Sequence, residues 1–239
     1  MLSYRKLAMR VLGRPLHTGG NDSPRPASQR AAAFILTAAM LTTLTAPAFA
    51  DIWHIENGDI TVKAGDTEGT NKVSQGTIID RVDTNTIITN SDKDTASSNT
   101  VTIEAKDKDD KVEVTLDNVN IKADSGSALT SKGDVTLTLK GDNSLTGGIS
   151  DNGSYALRGI SSNGSLTITG GENDSLTAQG GSGADGIYSS GSLTISGGMV
   201  TANGGGGDGG DGIWSSGGLT ISGGTVNATG GKSGADGSG

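Results

Sequence analysis

The chain has 239 residues, no cysteine, 3% aromatic residues and a formal net charge of −8. The missing cysteines exclude disulfides, a thiol nucleophile and a zinc–thiolate site. The scarcity of aromatic and apolar residues excludes a thick globular core, and the acidic balance argues against nucleic acid as a partner.

Residues 1–50 read as a secretory signal peptide. Arg5, Lys6, Arg10, Arg14, Arg25 and Arg30 form a basic region, and Ala31 to Leu44 is apolar or Thr. Ala48-Phe49-Ala50 then supplies the small-x-small pattern before Asp51. The apolar stretch is short for a span. Cleavage is therefore expected, with no stable membrane insertion afterwards and a mature chain that is secreted or held at the cell surface. Removing the leader leaves 12 basic and 25 acidic residues, a net charge of −13. Cations and neutral polymers suit that field better than nucleic acid.

Residues 51–110 are expected to form a β-rich N-terminal cap and the first coils. Ile60-Thr61-Val62, Thr77-Ile78-Ile79, Thr86-Ile87-Ile88 and Val101-Thr102-Ile103 are short strands between Gly, Asp, Asn and Ser turns. Lys106 to Lys111 is a charged turn. No apolar period of 3.6 runs beyond the leader, so no helix is expected.

Residues 111–239 are expected to be the repeats. Gly159-Ile160-Ser161-Ser162-Asn163-Gly164 recurs as Gly186-Ile187-Tyr188-Ser189-Ser190-Gly191 and as Gly212-Ile213-Trp214-Ser215-Ser216-Gly217, at intervals of 27 and 26 residues. Each is followed by Leu-Thr-Ile: Leu166 to Ile168, Leu193 to Ile195 and Leu219 to Ile221. A fixed period in this range marks a solenoid, whose coils bury their apolar faces only by stacking. Four inward columns follow. They are Leu129, Ile160, Ile187, Ile213; Val135, Leu166, Leu193, Leu219; Leu137, Ile168, Ile195, Ile221; and Leu145, Leu176, Val200, Val226. The prediction is an all-β parallel β-helix of about 26 residues per coil. Ala235-Asp236-Gly237 begins a further coil and no polar capping coil follows. A truncated chain with an open last coil, prone to end-to-end self-association, is the expectation.

Two features carry candidate chemistry. Gly180 to Tyr188 and Gly206 to Trp214 fit the calcium-binding pattern G-G-x-G-x-D-x-U-x, and Gly230 to Asp236 repeats it with one insertion. Asp185, Asp211 and Asp236 would stack in one column with Asp208 beside them, a clustering of like charge that a Ca²⁺ ion would relieve. The motif occurs once per coil rather than back to back, so a solvated Asp-Gly corner is the alternative. Tyr188 and Trp214 each follow an inward Ile and therefore point outward on consecutive coils. They read either as a flat platform for sugar rings or as a mutual stack covering a Gly-rich surface. Catalysis has little to draw on: beyond the leader the chain keeps His54, Arg81 and Arg158, and only Arg158, next to a repeat strand, would suit a lyase base. The expected protein is not an enzyme.

The chain resembles the secreted bacterial carbohydrate-binding domain-containing proteins. The resemblance rests on Ile52-Trp53-His54-Ile55-Glu56-Asn57-Gly58-Asp59-Ile60, on Val114-Thr115-Leu116-Asp117-Asn118-Val119-Asn120-Ile121, and on Val135 through Leu145, and it spans most of residues 51–239. It implies a right-handed parallel β-helix shaped like pectate lyases, calcium, and binding to cellulose-like or acidic polysaccharide without cleavage. The leading expectation is therefore a calcium-stabilised, polysaccharide-binding rod. An adhesin-like structural repeat comes second, and a polysaccharide lyase third.

Overall fold

Alternation of apolar and polar residues puts every second side chain of a strand on one face. In this chain such strands come in threes, separated by Gly-rich corners, and each triplet closes one coil. The computed structural model describes residues 51–105, 110–149, 157–207 and 209–232. Residues 1–50, read above as a signal peptide, most of the expected charged turn, Asp208, Asp236 and residues 235–237, where a further coil is expected, lie outside the described residues.

The fold is an all-β solenoid of about five turns, about 27 residues per turn, with three sheets running along it. Sheet A has seven strands, Ile52–His54, Ile87–Thr89, Lys111–Asp117, Asp134–Lys140, Leu166–Gly170, Leu193–Ile195 and Leu219–Ile221. Sheet B runs from Ile60–Ala64 through Val101–Glu104, Leu129–Lys132, Ile160–Asn163 and Ile187–Ser189 to Ile213–Ser215. Sheet C stacks Asn120–Lys122, Asp142–Thr146, Ser175–Gln179, Met199–Asn203 and Thr225–Thr229. Pairing between successive coils is parallel in all three. No helix among the described residues is long and apolar enough to cross a membrane.

Three of the expected columns stand as read. Leu129, Ile160, Ile187 and Ile213 are in register, as are Val135, Leu166, Leu193 and Leu219, and Leu137, Ile168, Ile195 and Ile221. The fourth is shifted by two residues at its first member. Leu176 lies against Asn143, not Leu145, and continues to Val200 and Val226. Leu145 instead joins Ile121, Ala178, Ala202 and Ala228. A period of two makes positions 143 and 145 equivalent for burial, so the apolar pattern alone does not separate them. Asn143 is buried because its amide does backbone work: Oδ1 accepts the Val119 N–H at 2.9 Å, and Nδ2 donates to the Ser175 carbonyl at 3.1 Å.

A serine column also runs inside. Ser131, Ser162 and Ser189 are in register and fully buried, with Ser215 above them. The single Ser189 Oγ–H is shared between the Gly164 and Gly191 carbonyls at 3.0 and 3.2 Å, sealing the corner between sheets B and A. Ser131 Oγ has no partner among the described residues. At the next corner, between sheets A and C, Gly198 and Gly224 adopt φ of 78° and 77°, and a Cβ on Gly224 would run into the Gly198 carbonyl.

The N-terminal end of sheet B is covered by an antiparallel meander of Asn71–Gln75 and Ile78–Asp83 laid on Ile60–Ala64. The Asn71–Gln75 strand carries polar residues at two inward positions, and their amides bond the chain around them. Asn71 Nδ2 donates to Thr86 Oγ1 and to the Glu113 carbonyl, both at 2.9 Å, and Gln75 Nε2 donates to the His54 carbonyl at 2.7 Å. Trp53 is buried in the first strand and donates its Nε1–H to Asp83 Oδ2 at 2.9 Å.

Candidate functional site

Arg158, Asp185 and Asp211 each stand two residues before an inward Ile, and those three Ile residues are in register. The solenoid therefore sets these three side chains one above another at the corner leading into sheet B. A cation heads what would otherwise be a column of like charge. Arg158 Nε donates to Asp185 Oδ2 at 3.1 Å across 27 residues of sequence, and Asp185 Oδ1 accepts the Asp211 N–H at 2.9 Å. Both oxygens of Asp185 are thereby engaged, and its side chain is only 17% exposed.

The aromatic pair forms the other half of this corner. Tyr188 and Trp214 are register partners on sheet B, as the repeat implied. Their rings are 4.6 Å apart and 2° from parallel. The guanidinium of Arg158 lies over the Tyr188 ring, 3.9 Å from its centre. Coils spaced at about 4.8 Å bring side chains at equivalent positions face to face, so the ring planes stack along the rod. Tyr188 has Arg158 on the side of the preceding coil and Trp214 on the side of the following one. The arrangement is a three-layer stack, and Trp214, 38% exposed, is its last layer among the described residues.

Calcium at this corner needs about six to eight oxygen ligands. Among the described residues no three His, Cys, Asp or Glu side chains gather to hold a metal ion. Asp185 is taken up by Arg158 and a backbone amide, which leaves Asp211. The described residues do not compose a calcium site, and the remaining expected ligands, Asp208 and Asp236, lie outside them.

His54 gathers two neighbours that sequence reading did not foresee. Ser91 Oγ is 3.0 Å and Glu56 Oε1 is 3.7 Å from the same ring nitrogen, Nδ1. A nucleophile–base–acid relay needs one partner on each ring nitrogen. Here both partners face one, so the cluster positions the 90–97 turn rather than activating Ser91. Burial pushes the Glu56 carboxyl up, but hydrogen bonds from Ser91 and from its own backbone amide, with His54 nearby, outweigh it and hold the carboxyl below the usual glutamate range.

Comparison with known protein families, curated proteins and solved structures finds no match.

Proposed function

We propose that this chain is a secreted, non-catalytic, polysaccharide-binding β-solenoid in which a sugar ring packs on the exposed indole of Trp214. The observation that carries this reading is the Arg158–Tyr188–Trp214 stack. An indole braced from behind by a ring and a guanidinium loses little freedom on binding. An exposed indole suits the C–H face of a pyranose. Secretion is supported by the leader pattern at Ala48-Phe49-Ala50. The absence of catalysis is supported by the commitment of Arg158 to Asp185 and by the one-sided surroundings of His54.

Affinity gel electrophoresis against a panel of soluble plant and microbial polysaccharides tests the proposal. At least one polymer should retard the wild-type protein, and Trp214→Ala should lose that retardation while keeping its circular dichroism spectrum. Full retardation of Trp214→Ala places the sugar elsewhere.

A second reading, an adhesin-like rod, has its own observation. Leu219 and Ile221 belong to interior columns yet are 45% and 51% exposed, whereas Leu193 and Ile195 below them are fully buried. Such an apolar surface suits isologous pairing between two copies of this chain. Sedimentation should then show a dimer, which charged residues at positions 219 and 221 dissolve. A monomer at all concentrations removes this reading.

A further inference from the structure

A concavity lies away from the aromatic stack, on the outer face of sheet A. A cleft of about 580 Å³ opens between the turn at 65–70 and the strand Lys111–Asp117. A shallower depression of about 510 Å³ continues from it toward Thr169 and Asp174. The two share Asn85, Thr115 and Thr138 in their walls, so they form one groove that crosses consecutive coils.

Its floor is a ladder. Thr115, Thr138 and Thr169 are register partners, one from each of three coils. All three face outward between buried neighbours such as Leu116, Leu139 and Ile168. Among the described residues none of their hydroxyls has a protein partner. Rungs of hydroxyl therefore recur about every 4.8 Å along the rod, close to the length of one sugar ring. The walls add groups of matching chemistry: the Asn85 amide, and the Glu113 carboxylate, which has no ion-pair partner among the described residues. Acidic side chains outnumber lysines along the groove. Its carboxylates accept hydrogen bonds from sugar hydroxyls and repel a uronate.

We infer that this groove is a second glycan site, one that takes an extended neutral polysaccharide lying along the rod and rejects acidic ones. The inference rests on the polysaccharide-binding reading above and narrows it to a polymer class. It assigns to Thr115, Thr138 and Thr169 the role of direct ligands, separate from Trp214.

The test uses the full secreted chain in gels containing hydroxyethylcellulose or polygalacturonate at low ionic strength. The neutral polymer should retard the wild-type protein and polygalacturonate should not. The isosteric triple variant Thr115→Val, Thr138→Val, Thr169→Val keeps shape and strand preference but removes three hydroxyls. It should lose about tenfold or more in affinity, the effect of one to two net hydrogen bonds, with an unchanged melting curve. Should the triple variant fail to fold, Thr138→Val alone should still weaken binding severalfold. A valine variant that binds hydroxyethylcellulose like wild type overturns the groove, as does equal retardation by polygalacturonate. The two proposals separate cleanly. If Trp214→Ala abolishes binding and the valine variant does not alter it, only the groove falls. If neither polymer retards the wild-type protein, the groove falls, and failure across the wider panel takes the polysaccharide reading with it.

Discussion

Replacing Arg158 by Gln removes the cation that faces Asp185 and uncovers one side of Tyr188. Asp185 then keeps its charge with a side chain only 17% exposed, one coil from Asp211. Exposed pairs contribute about 0.2–1 kcal/mol, and stripping one partner from a buried pair costs about 3–5 kcal/mol. Arg158 is 34% exposed, so this pair falls between those limits. With roughly 0.5–1 kcal/mol from the cation–π contact, the expected loss is about 2 kcal/mol. For a domain of this size that corresponds to a fall of about 4–8 °C in melting temperature. Thermal melts followed by far-ultraviolet circular dichroism measure it. The double variant Arg158→Gln, Asp185→Asn should recover part of the loss, because an amide needs no counterion, and the four-way cycle isolates the coupling. Coils unzip from their neighbours, so the transition should also broaden. A melting curve unchanged in Arg158→Gln, or a coupling of zero, would refute the claim that this pair clamps the two coils.

Ser131→Ala and Ser189→Ala should act with opposite sign. The first removes a buried hydroxyl without a partner among the described residues and should stabilise by about 1 kcal/mol, whereas the second removes a bond shared between two carbonyls and should cost about as much; equal losses in chemical denaturation would contradict this. Glu56→Gln should destabilise at neutral pH and converge with wild type in acid. A carboxyl held below its ordinary 4.5 contributes stability that is present above that value and lost as pH falls through the folded-state pKa, so parallel stability–pH curves would show the Ser91 contacts to be neutral. A calcium ion bound at the corner expected to hold it, with Asp185, Asp208, Asp211 and Asp236, would add about 2.7 kcal/mol of stability by mass action at a hundredfold excess over Kd and raise the melting temperature; superimposable melts in calcium and in chelator would remove the ion from this corner.

The period, the three-strand coil and three of the four columns were readable because Ile and Leu recur at fixed offsets from Gly-x-Ser corners. What escaped was polar. Asn71, Gln75 and Asn143 occupy inward positions because each amide bonds backbone that would otherwise be stranded, and burial scales built on apolar transfer do not anticipate that. The Asn71–Gln75 strand went unread for this reason, and the fourth column slipped by one inward position. Arg158 was within reach: it shares with Asp185 and Asp211 the place two residues before the inward Ile. The calcium pattern covers the carboxylates of that column and not the cation that heads it. The outward direction of Tyr188 and Trp214 was also readable. Their ring planes were not, because coil spacing rather than side-chain identity turns the faces toward each other.

A solenoid converts repetition in sequence into stacking in space, and this has a cost as well as a use. Repeated threonine gives a ladder of equivalent hydroxyls, which suits a polymer that is itself periodic. Repeated aspartate gives adjacent like charges, which must be offset. In this chain the offset comes from a break in the repeat: Arg158 stands where later coils carry Asp, and one side chain both neutralises Asp185 and stiffens Tyr188. Positions where one coil departs from the others are therefore where chemistry concentrates. Asn143 closes a corner that Leu176 and Val200 fill in the coils above it, and Trp214 stands in the column that Tyr188, Ser161 and Thr130 occupy on earlier coils. On this logic the unvarying coils determine the rod's geometry, and the few departures determine what it holds.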